Sequence, residues 1–180
     1  VYRWCALQII QNKPKNKINF LKKEIKKLNL KKLQNKKLID DRVAQVTSQM
    51  SKDLRMRKLV FAFQKRIAYN IPKGYRGSIL NGRDVTYNIV PDATFKFYVT
   101  ASIYARSKRR QKELMKLGKR VSFKEIMQSL KKRDKSDKNR PRRQGRLEKT
   151  KESLLINTTN LTIKSSFLTV KKIIDSKLNK

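Results

Sequence analysis

Short apolar segments with strand-like character are separated along this chain by longer segments with helical periodicity. The clearest strand pattern is Thr94–Val99, whose three apolar side chains alternate with polar ones and share one face. Two further strands are predicted at Gly77–Leu80 and Ser153–Ile156. Because helical segments separate the strands, the pattern predicts an α/β fold with a mostly parallel sheet.

Apolar residues at helical spacing predict most of the remaining structure. Helices are predicted after Pro14, after Asp40 or Asp41, from Met56 to Tyr69, after Ser102, from Phe123 to about Lys132, and from about Ile163 to Leu178. Gly118 is expected to end the helix that follows Ser102, and the arginine-rich stretch Pro141–Arg146 is expected to form a mobile loop.

Basic side chains greatly outnumber acidic ones. The 180 residues include 48 Lys or Arg and 13 Asp or Glu, which gives a formal net charge of +35. Clustered basic residues neutralise phosphates, so one interpretation is a basic RNA-binding protein of the ribosome-associated type. The arginines, however, are concentrated between Arg83 and Arg146. Since guanidinium groups make bidentate contacts with phosphate and carboxylate, this concentration indicates recognition of an oxyanion.

The counts of a few residue types exclude several kinds of chemistry. A single cysteine, Cys5, excludes a disulfide framework, and the lack of histidine excludes a Cys/His zinc site and a histidine-based triad. No apolar run approaches the roughly 20 residues that cross a bilayer, and no signal peptide is visible. We therefore expect a cytoplasmic protein.

Polar residues follow two of the predicted strands, where ligands bind in open α/β sheets. Arg83-Asp84 follows one strand, and Asn157-Thr158-Thr159 follows another. A simpler explanation of Arg83-Asp84 is a local salt bridge in a turn. Three further charged residues, Arg133, Asp137 and Arg140, are spaced to share one helix face, and a surface ion pair would also explain that spacing.

Six short motifs occur in one order between Val1 and Arg140. They are Val1-Tyr2-Arg3; Ser48 with Arg57 and Gln64-Lys65-Arg66; Gly82-Arg83-Asp84; Val90-Pro91-Asp92-Ala93 with Lys96-Phe97; Ala101-Ser102 with Arg106, Arg109 and Arg110; and Arg133-Asp134 with Asp137 and Arg140. In this order and with these gaps, the motifs resemble those of the bacterial cytidylate kinases, the (d)CMP kinases of the P-loop nucleoside monophosphate kinase group.

The resemblance implies transfer of the γ-phosphoryl group of ATP to CMP or dCMP, with Mg²⁺ bridging the ATP phosphates. It assigns the acceptor phosphate to Arg3 and Arg83, the cytosine to Ser48, Arg57, Asp84 and Arg140, the sugar hydroxyls to Arg133 and Asp137, and ATP and the lid to Arg109 and Arg106. Phosphoryl transfer needs alignment and charge neutralisation more than acid–base chemistry, so the lack of histidine is no obstacle. The expected partners are these nucleotides, with no obligate nucleic acid and no membrane, and the protein is expected to be a monomer.

The resemblance also implies one (d)CMP kinase domain over residues 1–180, built on a parallel sheet with helices on both faces. Its expected regions are a nucleoside monophosphate-binding region at 1–70, core strands at 76–106, a lid at 107–146, and a C-terminal strand and helix at 150–180. The family's first (central) and second strands and its Gly-x-x-Gly-x-Gly-Lys-Gly-Thr loop have no counterpart here. We expect an N-terminally incomplete domain, inactive by itself, with that loop encoded roughly two dozen residues before Val1.

Four local departures from the family pattern concern the predicted nucleotide site and the lid. Asn81 replaces an Asp, Thr86-Tyr87 replaces Gly-Thr, the insert between Leu33 and Val46 is short, and basic residues at Pro141–Arg146 replace a more apolar segment. Asn81 and Thr86-Tyr87 lie beside the predicted nucleotide site, the basic stretch lies at the end of the lid, and members of the family with a short insert exist.

Overall fold

The computed structural model describes residues 1–178, apart from the side chain of Asp41. The chain forms two compact units, one over Val1–Val85 and one that begins at Thr86. In the described part of the chain, no helix is both long and apolar enough to cross a membrane.

The first unit is helical. Its helices are α1 (Tyr2–Asn12), α2 (Lys17–Lys26), α3 (Asp41–Met50) and α4 (Leu54–Tyr69), with two short 3₁₀ turns at Leu30–Gln34 and Lys36–Ile39. Asn16, Asp40 and Asp53 begin three of the helices, because each side-chain oxygen accepts a hydrogen bond from a backbone N–H of the first turn. The helices predicted after Pro14, after Asp40 and up to Tyr69 are thus confirmed.

One continuous apolar core holds the first unit together. Trp4 and Cys5 of α1, Leu21 of α2, and Val60 and Phe63 of α4 are all buried in it. On α2 the apolar stripe faces this core, while the lysines of the other face are exposed. The solvated lysines therefore belong to the outer surface of an ordinary amphipathic helix.

The strand predicted at Gly77–Leu80 is wrong, because this segment is irregular. Its Ser78 Oγ donates a hydrogen bond to the carbonyl of Ala68 at 2.9 Å, and Ile79 is fully exposed. A short apolar run forms a strand only when a neighbouring strand completes its hydrogen bonds. Among residues 1–178, no strand pairs with this one.

The second unit is a mixture of helices and a small sheet. Its regular elements are β1 (Phe97–Thr100), α5 (Ile103–Lys116), α6 (Phe123–Asn139), β2 (Leu154–Asn157) and α7 (Ile163–Leu178). A π-helical turn at Val85–Ile89 comes before them, and a 3₁₀ turn lies at Arg142–Gln144. The two strands pair in parallel, with Phe97 opposite Leu154 and Thr100 opposite Asn157. A mixed α/β structure with parallel pairing is therefore confirmed.

Helix α6 continues beyond its predicted end at about Lys132 to Asn139. Its first turn is stabilised by a capping box, in which Ser122 and Glu125 each accept a backbone N–H of the other. The helix ends where Arg140 becomes extended before Pro141, as the residue before a proline prefers. The extra turns place Arg133 and Asp137 on one helix, as their spacing predicted.

Candidate functional site

The first unit brings Arg57 and Asp84 together, although they are 27 residues apart. Arg57, in the first turn of α4, donates a hydrogen bond from Nη2 to Asp84 Oδ2, and the two side chains are only 11 and 14% exposed. Asp84 follows a turn at Gly82, where an added Cβ would lie 2.7 Å from Val85 Cγ2. Glycine therefore lets this turn fold closely enough to place Asp84 beside α4.

The Arg57–Asp84 pair places a group of hydrogen-bond donors beside a group of acceptors. A guanidinium has five N–H donors, and a carboxylate accepts about four hydrogen bonds. Their mutual bond holds both side chains in place. Such a pair suits a planar ligand edge with an amino donor next to a carbonyl acceptor.

The other predicted residues of the first unit occupy different positions. Arg3 on α1 donates from Nη1 to the carbonyl of Leu38 at 2.7 Å, Arg83 is half-buried in the turn beside Asp84, and Ser48 is exposed on α3. The contact of Arg3 with the 3₁₀ turn at Lys36–Ile39 had no signal in the sequence, because its acceptor is a backbone carbonyl.

In the second unit, Asp137 lies near the end of α6 between two guanidinium groups. Its carboxylate is 7% exposed and lies 3.5 Å from Arg140 Nη2 and 3.8 Å from Arg133 Nε. Its backbone carbonyl accepts a hydrogen bond from the Leu147 N–H at 3.0 Å. A buried carboxylate is costly unless it is paired, so this cluster is not a solvated surface ion pair.

Arg106 makes a bidentate ion pair that spacing alone did not predict. Its Nη1 and Nη2 lie 2.9 and 2.6 Å from the two carboxylate oxygens of Asp134, and its Nε donates to the Ala101 carbonyl at 3.0 Å. The hydrogen bonds to Asp134 raise the pKa of Arg106. The sequence places these residues 28 positions apart on different helices, so only the packing of α5 against α6 shows that they pair.

Arg109 links α5 to the loop that follows β2. It donates to the Thr158 hydroxyl at 3.2 Å, to the Thr158 carbonyl, and to the Leu161 carbonyl at 3.1 Å. In the same loop, the Thr159 hydroxyl accepts a hydrogen bond from the Ser102 N–H at 2.9 Å. The polar residues after the two parallel strands therefore lie close together, as expected for neighbouring carboxyl ends.

A shallow depression beside Arg109 is rich in basic and hydroxyl groups. Its lining includes Lys108, Arg109 and Lys112 of α5, with Thr159 and Thr162 from the loop after β2. No group of three Asp, Glu or Cys side chains that could hold a metal ion occurs among residues 1–178. Magnesium in phosphoryl-transfer sites is held mainly by substrate phosphates and water with one or two carboxylates, so the implied Mg²⁺ does not require such a cluster.

Parallel strands that end in polar loops, with a basic depression beside one of those loops, are typical of an α/β protein that binds a ligand at the carboxyl ends of its strands. Comparison with known proteins specifies the class. The family model described as Cytidylate kinase matches residues 1–176. The chain belongs to the cytidylate kinase family.

Curated relatives are similar along most of the chain. The cytidylate kinase of Thermosipho melanesiensis is 36% identical over 130 residues, which are 72% of this chain and 57% of that protein. Those of Bartonella bacilliformis and Bartonella tribocorum are 33 and 30% identical, over 83 and 97% of this chain and 67 and 79% of their own lengths. The chain thus spans little more than half of one relative and about two thirds to four fifths of the others.

Proposed function

We propose that these residues belong to an enzyme that transfers the γ-phosphoryl group of ATP to CMP or dCMP. The observation that supports this most directly is the nearly buried Arg57–Asp84 pair. Membership of the cytidylate kinase family favours this function over RNA binding, the other interpretation of the basic composition. The enzyme is the full-length protein that contains these residues.

The pair would recognise the base by complementary hydrogen bonding. Cytosine presents an amino donor at C4 and acceptors at N3 and O2, so Asp84 would accept from the amino group and Arg57 would donate to the ring. Ser48 and Arg140 are proposed to add contacts to the base. Uracil presents a carbonyl at C4 instead. The carboxylate of Asp84 and this carbonyl are both acceptors, so no hydrogen bond could form between them. The pair therefore selects cytosine by leaving the wrong base unpaired.

The remaining arginines would position and neutralise phosphate and sugar groups. Arg3 and Arg83 are proposed to hold the acceptor phosphate, and Arg133 and Asp137 the sugar hydroxyls. Arg109 and Arg106 are proposed to lie at the ATP and the lid, next to the basic depression on α5. An oxygen of the acceptor phosphate bonds to the γ-phosphorus as the bond to the β-phosphate oxygen breaks, and ADP leaves. Guanidinium groups would stabilise the spread negative charge.

The larger sheet and the bounds of the four regions are also part of this proposal. We propose that β1 and β2 belong to a larger parallel sheet with helices on both faces, as in the P-loop nucleoside monophosphate kinases. The regions expected at 1–70, 76–106, 107–146 and 150–180 would then supply the acceptor site, the core strands, the lid and the last strand and helix.

The test is a phosphoryl-transfer assay on the complete protein with CMP, dCMP, UMP and AMP. Asp84→Ala leaves the guanidinium of Arg57 nearly buried without this partner, so we expect kcat/KM for CMP to fall by about a hundredfold to a thousandfold. Glu24→Ala removes a carboxylate from the Glu24–Lys27 surface pair of α2 and should leave kcat/KM unchanged.

Asp84→Asn tests base recognition separately from the loss of charge. The amide can donate to the C4 carbonyl of uracil, so the ratio of kcat/KM for CMP to that for UMP should fall by at least about tenfold. An Asp84→Ala variant with near-normal turnover, or an unchanged base preference in Asp84→Asn, would refute the role of Asp84.

A further inference from the structure

Tyr87, one of the departures from the family pattern, packs against another departure, the basic stretch at 141–146. Its Oη donates a hydrogen bond to the carbonyl of Arg146 at 2.7 Å. The guanidinium carbon of Arg142 lies 4.6 Å from the centre of the Tyr87 ring, within the range of a cation–π contact. Two segments 59 residues apart in the sequence are therefore held together by one side chain.

The segment that Tyr87 holds is internally ordered. Gly145 has a φ of +80°, a left-handed conformation that glycine adopts without strain, and it ends the 3₁₀ turn at Arg142–Gln144. Glu148 then forms ion pairs with Arg142 and Arg146, each at 2.8 Å. Arginines that appeared in the sequence to form a mobile basic loop are thus tied to a carboxylate and to a ring.

The same segment is bonded to the end of α6, where the buried carboxylate lies. The Leu147 N–H donates to the carbonyl of Asp137 at 3.0 Å. Arg140 pairs with the carboxylate of Asp137 and is the first residue after α6. The segment that follows it turns back at Gly145. The position of the Asp137–Arg140 pair therefore depends on both the helix and this returning segment.

We propose that Tyr87 is a positioning residue that holds the segment 142–148 against α6 and thereby fixes the Asp137–Arg140 pair for the acceptor nucleotide. This inference rests on the proposed function. The basic stretch is on this basis a structural partner of Tyr87 and not a general surface for polyanions. Without the Tyr87 hydroxyl, the Arg146 carbonyl loses its hydrogen bond. The segment 142–148 can then move away from α6, and the bond from the Leu147 N–H to the carbonyl of Asp137 is weakened.

Tyr87→Phe tests this with little disturbance, since it keeps the ring beneath Arg142 and removes only the hydroxyl. In the complete protein we expect the amide of Leu147 to exchange its hydrogen about tenfold faster, consistent with the loss of one part-buried hydrogen bond. We expect KM for CMP to rise about tenfold while kcat stays within about twofold, because binding is affected and the transferred group is not.

The matched control is Tyr104→Phe, which removes a hydroxyl from an exposed tyrosine of α5 whose ring packs edge-on against Phe123. It should change neither Leu147 exchange nor KM. Unchanged exchange at Leu147 in Tyr87→Phe, or faster exchange with an unchanged KM, would overturn the inference. A wild-type protein that does not phosphorylate CMP would refute the proposed function instead, whereas an active wild type with a normal Tyr87→Phe variant would refute the inference alone.

Discussion

The two units of the chain stabilise their functional side chains in different ways. In the described part of the first unit, fourteen buried residues form one apolar cluster that includes Trp4, Leu21 and Phe63. Among residues 86–178, which are the described part of the second unit, buried apolar residues are few, and several of the buried residues are polar. These include Ser107, Asp137, Ser153 and Thr158. The first unit is thus ordered mainly by apolar burial, and the second depends more on hydrogen bonds and ion pairs.

This difference bears on how each unit presents its arginines. Arg57 projects from α4, which is anchored in the apolar core by Val60 and Phe63. Arg106 and Arg109 of α5 are instead held by Asp134, by Thr158 and by backbone carbonyls. Salt screens the attraction between exposed charges, whereas apolar packing does not depend on that attraction. The arginines of the second unit should therefore be the more sensitive to their polar neighbours.

The largest effect is expected from removing apolar volume in the first unit. Leu21→Ala deletes a side chain that is 1% exposed, so the free energy of unfolding should fall by about 3 kcal/mol. Denaturant unfolding followed by the fluorescence of Trp4, which is the only tryptophan and is buried in the same core, measures this directly. The matched control is Leu30→Ala, since Leu30 is 55% exposed and should cost less than about 0.5 kcal/mol. Equal effects of the two variants would contradict an apolar origin of this unit's stability.

A smaller effect is expected at high pH from the cysteine in the same core. Burial raises the pKa of the Cys5 thiol to about 12, whereas an exposed thiol has a pKa of about 8.5. Above pH 8.5 the unfolded chain loses this proton and the folded protein keeps it, so the free energy of unfolding falls until the pH reaches the folded pKa.

Comparison of wild type with Cys5→Ala isolates this contribution, because lysines that titrate in the same range are common to both proteins. Between pH 8 and pH 10 the wild type should lose about 1–2 kcal/mol more than the variant, measured by Trp4 fluorescence in denaturant. A difference between the two proteins that does not change with pH would show that Cys5 is ionised as readily in the folded core as in the unfolded chain.

The sequence predicted the elements whose signal is local and missed those that depend on a distant partner. The stripe of α2, the cap at Asp40 and the last helix all follow from periodicity or capping within a few residues. Gly77–Leu80 has the composition of a strand, but pairing decides whether a strand forms, and that information is not local. The predicted end of α6, at about Lys132, lies seven residues before its actual end at Asn139. The charged residues between these positions have no apolar periodicity, and their ion pairs with other side chains cannot be read from the sequence.

The same distinction applies to the candidate site. The spacing of Arg133, Asp137 and Arg140 predicted one shared helix face. The structure places Arg133 and Asp137 on α6, whereas Arg140 is extended just after the helix and still pairs with the buried carboxylate. The motif Gly82-Arg83-Asp84 marked Asp84, and the resemblance assigned Asp84 and Arg57 to one base, but neither showed that the two side chains bond to each other. Backbone carbonyls, which hold Arg3 and Arg109, have no sequence signature at all. Side-chain identity was therefore predictable, whereas the partners of those side chains were not.

The smallest effect is expected from the ion pair that best represents the second unit. The Arg106–Asp134 pair is bidentate but about one third exposed on each side, so a double-mutant cycle with Arg106→Met and Asp134→Asn should give a coupling energy of about 1 kcal/mol. The Arg110–Glu113 pair, one turn further along α5, is more exposed at its carboxylate and makes a single contact, so its coupling should be below about 0.5 kcal/mol. Raising the salt concentration should reduce both couplings.

The coupling energy expected for Arg106–Asp134 is far below the loss of unfolding free energy expected for Leu21→Ala. Such pairs would therefore orient α5 against α6 more than they stabilise the second unit. A coupling near zero at low salt would mean that the few buried apolar residues of α5 and α6, Leu114 and Ile126, hold these helices together. The contrast between the two units would then be one of core size and not of mechanism.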